Sequence, residues 1–166
     1  METINKKEYF LNPGELIISK EPVIIKTVLG SCVAVCIYCK KQKIGAICHY
    51  LLPVCPDIAN PSTKYGDIAI NLMIKKLKEE YHCEIIELKA YIIGGAFIVF
   101  DEKQVFFVGE QNVEIAKKVL DKHKIPIIYT DVLGERGKRV IFNTETGEIK
   151  VSIIEHINYD NLFNNV

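Results

Sequence analysis

Two apolar runs, Val33 to Tyr38 and Ile44 to Leu51, stand on either side of the polar break Lys40-Lys41-Gln42. Runs this short and this rich in Val, Ile and Tyr are strand formers, and a polar break between them is a turn, so the pair predicts a β-hairpin. More strands emerge from the same reasoning. Pro13-Gly14 punctuates a turn before Glu15 to Ile18, and Pro22 precedes Val23-Ile24-Ile25. Leu88 to Phe100 reads as a buried strand carrying Gly94-Gly95, with short strands at Val105 to Val108 and at Ile127-Ile128-Tyr129. Val140 to Phe142 and Ile149 to Ile154 flank Asn143 to Gly147, a hairpin by turn chemistry. Two segments have helical spacing instead. Ile70, Met73, Ile74 and Leu77 recur within Asp67 to Tyr81, and Val113, Ala116, Val119 and Leu120 share a face behind Asn112, which reads as an N-cap. Pro53, Pro56 and Pro61 make 53–64 an irregular loop. The first twelve residues and the segment from Asn158 are polar and read as loose tails. Hairpins alternating with two helices imply an α/β fold: a layered single domain with a mixed, largely antiparallel sheet rather than a doubly wound one.

Composition narrows the class of function. The chain has 166 residues and a mass of 18.9 kDa, room for one domain. A chain of this size buries roughly 70% of its unfolded surface and needs neither disulfide nor metal to fold. Twenty-one basic residues balance twenty-one acidic ones, which argues against a phosphate-backbone binder and so against nucleic acid as partner. The longest apolar run, Tyr91 to Phe100, is short and broken by two glycines, so no membrane insertion is expected. METINKKEYF lacks an apolar leader region, and a cytoplasmic protein is expected.

The six cysteines then carry the argument. Cys32, Cys36 and Cys39 have the C-x3-C-x2-C spacing that resembles the iron–sulfur motif of radical SAM enzymes. The intervening residues are strand formers, however, and the chain is too short for the partial barrel of such enzymes. Along a strand, Cys32 and Cys36 stand about 13 Å apart and Cys39 faces the other way. A zinc site from Cys32, Cys36, Cys48 and His49 is disfavoured, because Cys48 and His49 point to opposite faces of a regular strand. No metal and no cofactor are expected.

A nucleophile is the remaining chemistry. A hairpin turning tightly at Lys40-Lys41 sets Cys32 directly opposite His49, with Cβ atoms about 5 Å apart, near enough to share a proton. Two readings stay open on these residues: a catalytic Cys–His pair, or a core thiol with an incidental histidine. Gly30-Ser31 forms a small-residue approach to Cys32 whose backbone N–H groups can face a developing oxyanion. Cys36, Cys48, Cys55 and Cys83 read as core or surface thiols.

The segment Thr27-Val28-Leu29-Gly30-Ser31-Cys32-Val33-Ala34-Val35-Cys36-Ile37-Tyr38 resembles the signature of the CheD family of chemoreceptor glutamine deamidases. Further blocks keep the family order: Gly45 to Pro53, Lys64 to Ile70, Ile93 to Ala96, Val108 to Val113 and Val140 to Phe142 with Thr146-Gly147. The resemblance runs from about Gly14 to Val151. It implies a nucleophilic Cys32, His49 as general base and acid that lowers the thiol pKa, and Thr27 as the polar third member. It also implies a chemoreceptor cytoplasmic domain as protein substrate and a CheC-type phosphatase as partner. The competing expectations are a chain that serves chiefly as a binding partner regulating that phosphatase, and a papain-like amidase without receptor specificity.

Overall fold

The computed structural model describes residues 5–97 and 107–155. Among them, nine strands and two main helices run in the order β1 (Lys7–Phe10), β2 (Leu16–Ser19), β3 (Val23–Leu29), β4 (Val33–Cys39), β5 (Ile44–Tyr50), α1 (Gly66–Glu79), β6 (Leu88–Gly94), α2 (Val108–Lys122), β7 (Ile127–Val132), β8 (Lys138–Asn143) and β9 (Ile149–Ile153). The class is the expected one, α/β with mixed, largely antiparallel pairing. The strands divide into two sheets, ordered β1-β3-β8-β9 and β2-β5-β4-β6-β7. Among the described strands, only β1–β3 and β6–β7 pair in parallel.

The apolar runs of β4 and β5 are explained by what covers them. Val33, Val35, Ile37 and Cys39 pack with Ile70, Met73, Ile74 and Leu77 of α1 and Val113, Ala116 and Leu120 of α2. Ala34, Cys36 and Ile47 face the other way, onto Ile25, Leu29, Val140 and Phe142 of the four-stranded sheet. The molecule is therefore helices, sheet, sheet. With both faces covered, every residue of β4 and β5 is buried and the polar alternation of a half-exposed strand disappears. Each large aliphatic side chain buried there contributes about 1.5–3 kcal/mol.

Four local expectations need correction. The β4–β5 loop is Lys40 to Lys43, closed by Lys43 at a φ of 53°, and the register pairs Ala34 with His49 and Val33 with Tyr50. A tight turn at Lys40-Lys41 is thus replaced by a longer loop, and Cys32 lies two residues from the position opposite His49. The segment Lys7–Phe10 is an edge strand on β3, held by its backbone while its side chains are exposed, so its polar sequence hid it. Asn112 is no N-cap: α2 begins at Val108, and Asn112 is buried within it. Val108 therefore opens a helix with Phe107 just before it, and residues 105–106 of the strand expected at 105–108 lie outside the described residues. Finally, β6 ends at Gly94 because Gly94 and Gly95 have φ of 107° and 69°, outside the extended region. The remainder of the expected run, 98–100, lies outside the described residues.

The glycine pair also shapes the surroundings of Cys32. A Cβ on Gly94 would run into the Cys32 carbonyl oxygen, and one on Gly95 would stand 2.7 Å from the Gly109 oxygen. Glycine lets the end of β6 approach both the Cys32 loop and the first turn of α2.

Candidate active site

Gly30-Ser31-Cys32 is the whole connection between β3 and β4, which belong to different sheets. The chain crosses the sandwich in three residues, and small side chains suit so short a passage. Cys32 keeps the alternation of β4 and packs on the inter-sheet side with Ala34 and Cys36, partly exposed. His49, near the end of β5, has the parity of Ile47 and points to that same side. The two-residue shift in register preserves the face, so Cys32 and His49 are diagonal rather than direct neighbours.

Thr27 comes from the other sheet. Its Oγ1 lies 2.8 Å from His49 Nδ1 and 2.8 Å from the Leu11 carbonyl oxygen. Both side chains are almost fully buried, with 1% and 2% exposure. A hydroxyl has one proton to give, and here it goes to Leu11, whose oxygen can only accept. Oγ1 must then accept from His49, which places the ring proton on Nδ1 and leaves Nε2 as a bare lone pair. That Nε2 has no hydrogen-bond partner among the described residues. A buried, oriented, unpartnered imidazole nitrogen has the free lone pair that a proton acceptor needs.

The electrostatics differ from the sequence expectation. Burial pushes the Cys32 thiol up from its ordinary value instead of the imidazole pulling it down. Burial also holds His49 down at about 4, against the pull of Glu15 and the Leu11 carbonyl in the other direction. Both shifts favour the neutral forms, because burial costs each charged form part of its hydration.

Glu15 carries no signal in the sequence. It precedes β2 and sits beside His49 through the backbone bonds Gly14 N–H to His49 O (2.7 Å) and His49 N–H to Glu15 O (3.1 Å). Its carboxylate accepts from the Asn12 N–H at 2.9 Å and the Tyr9 hydroxyl at 3.3 Å, and Asn12 keeps it below the usual carboxylate range. Glu15→Gln preserves the shape and removes the charge that favours the imidazolium. His49 should then titrate below about 4, followed by NMR of the ring protons; an unmoved midpoint would mean that solvent screens the carboxylate.

The other five thiols are free and buried. Cys36 and Cys48 are buried on opposite faces of the five-stranded sheet, with Cys48 pushed up to about 12 by burial. Cys39 and Cys83 lie in the helix-side core, Cys39 Sγ 3.5 Å from Glu87 Oε2, and Cys55 donates to the Asp57 carbonyl. Among the described residues no three His, Cys, Asp or Glu side chains converge as metal ligands.

Residues 51–153 match the family model CheD, described as chemotactic sensory transduction. The chain belongs to the CheD family. Its relatives include proteins named "Probable chemoreceptor glutamine deamidase CheD" in Sulfurimonas denitrificans, 34% identical over 88% of this chain and 94% of the relative, and in Clostridium novyi, 33% identical over 91% and 96%. The Rhodospirillum rubrum protein of the same name is 36% identical over 88% and 82%. The family model begins after His49, whereas the pairwise alignments are long enough to take in positions 27 to 49 wherever they start. In fold, this CheD-family chain is similar to the Bacillus licheniformis hypothetical protein YfiH, with a TM-score of 0.50, 13% identity and 72% of this chain covered. It spans about half of that protein, 51%.

Proposed function

We propose that the chain is a cysteine-dependent protein-glutamine deamidase acting on chemoreceptors, built on one domain whose working region runs from about Gly14 to Val151. The observation that carries the reading is the Thr27–His49 hydrogen bond, which leaves the buried Nε2 unprotonated on the same inter-sheet face that Cys32 packs against. Cys32 Sγ attacks the side-chain carboxamide carbon of a substrate glutamine while its proton passes to His49 Nε2. The carbonyl oxygen becomes an oxyanion, faced by backbone N–H groups at Ser31 and Cys32 beside Gly30. His49 returns the proton to the nitrogen, the C–N bond breaks and ammonia leaves a γ-glutamyl thioester. Water then attacks, giving its proton to His49, and the thiolate departs and is reprotonated. The sum is glutamine plus water to glutamate plus ammonia. A glutamyl methyl ester takes the same course with methanol as the leaving group.

Among the described residues no helix is long and apolar enough to cross a membrane, which agrees with action on receptor cytoplasmic domains. A CheC-type phosphatase is the proposed regulatory partner. The complete Thr27–His49–Cys32 arrangement favours catalysis over a purely binding role, for which none of the three need be present. Incubation with a receptor cytoplasmic fragment should release ammonia and raise the fragment's mass by about one dalton per glutamine, the difference between –NH₂ and –OH in this reaction. A cut backbone would favour the peptidase reading, and binding without ammonia the regulatory one.

A further inference from the structure

The three carbonyls of the nucleophile loop are all anchored. Gly30 O accepts from the Ala96 N–H at 2.9 Å, Cys32 O from the Gly95 N–H at 2.9 Å, and Ser31 O from Asn112 Nδ2 at 3.0 Å. In a trans peptide unit the C=O of one residue and the N–H of the next point in opposite directions. Anchoring Ser31 O therefore aims the Cys32 N–H away from α2. That N–H also favours the Cys32 thiolate, an effect smaller than the burial that pushes the thiol up. Among the described residues, neither it nor the Ser31 N–H donates to a backbone carbonyl.

Of the three anchors, only the one on this peptide is a side chain. Asn112 is fully buried, and its Nδ2 also donates to Leu51 O at 2.9 Å, just beyond His49. With both amide hydrogens on carbonyl oxygens, the flipped amide would set oxygen against oxygen, so the orientation is fixed. Asn112 Oδ1 is buried without a partner among the described residues. An orphaned acceptor at a core position is not there for packing; the two donors explain its presence. The helix turn is held in turn by the Tyr50 hydroxyl, which donates to the Asn112 carbonyl at 2.5 Å.

We infer that Asn112 is a positioning residue of the reaction: it holds the Ser31–Cys32 peptide so that the Cys32 N–H receives the oxyanion, and it ties that peptide to the segment following His49. This rests on Cys32 as nucleophile and His49 as base. It goes beyond that reading in assigning the geometry of the oxyanion site to a residue on α2.

Two reactions of the same sulfur separate this role from packing. Alkylation of Cys32 by iodoacetamide forms no oxyanion, whereas its acylation by a p-nitrophenyl ester does. Asn112→Asp keeps the side-chain shape and replaces both donors with oxygen; Asn112→Ala serves in the same assays where a buried carboxylate prevents folding. Acylation should fall by about tenfold or more, and ammonia release from a receptor fragment by on the order of 10²-fold with KM little changed, the range for a lost oxyanion donor. Alkylation should stay within about threefold of the parent rate, since it needs no such donor. Equal acylation rates in variant and parent would overturn the inference, as would acylation and alkylation falling together with thermal stability. The deamidase reading fails separately, if the parent protein acylates and alkylates at Cys32 yet releases no ammonia.

Discussion

Cys32→Ala releases no ammonia from a receptor fragment and unfolds at nearly the temperature of the parent protein. The side chain is small, partly exposed and placed in a connection rather than in a strand, so its loss opens little cavity. A change of that kind costs about 1 kcal/mol or less. The other five thiols are buried, and Cys36, the next cysteine along the same face, is held far above its ordinary pKa by burial. None can substitute. Circular dichroism melting and an ammonia assay on the same preparation check both halves of the statement. Residual turnover above the uncatalysed rate would remove Cys32 from the mechanism.

His49→Gln lowers turnover by a factor of about 10² to 10⁴, the span of general acid–base catalysis. Glutamine fills much of the same space but cannot take the thiol proton or return it to the leaving nitrogen. Alkylation of Cys32 near neutral pH slows with it, since the proposed acceptor of the thiol proton is gone. The same variant changes the acid stability of the fold. His49 titrates at about 4 in the folded protein, below its ordinary 6.5. Between those values the unfolded chain binds the proton more readily, so the native state is favoured above about 6.5 and loses that advantage as pH falls toward about 4. The loss amounts to roughly 3 kcal/mol for a shift from 6.5 to about 4. Denaturant melts of the two proteins at pH 7 and pH 4 should therefore differ in how far stability drops, with the smaller drop in His49→Gln. Equal drops would mean that the buried ring accepts a proton without penalty.

The elements most legible in the sequence are those whose pattern is local. The helical spacing of Ile70, Met73, Ile74 and Leu77 and the turn chemistry of Asn143 to Gly147 need no partner to be recognised, and α1 and the β8–β9 hairpin form where they point. The β4–β5 register depends on loop length, which Lys43 conceals: a lysine at positive φ carries no turn signal. The slip is of even parity, which is why Cys32 and His49 still share a face. Thr27 is reached only through family resemblance, because its partner lies in the other sheet and no spacing along the chain records that contact. Asn112 misleads for a physical reason. Asparagine is common at helix starts because its short amide bonds nearby backbone, and here the amide bonds backbone distant in sequence instead. Glu15 is invisible for a simpler one, being a single acidic residue after a turn.

The three-residue crossing between the sheets also bears on the order of folding. Neither sheet contains the proposed constellation by itself: one holds the threonine, the other the histidine, and the cysteine sits on the bridge. A refolding chain can recover its far-ultraviolet signal as each sheet pairs and still be chemically silent until the two halves of the sandwich close on one another. Reactivity of this thiol is thus a clock for that closing event, and its return after dilution from denaturant should lag behind secondary structure wherever the two steps separate in time.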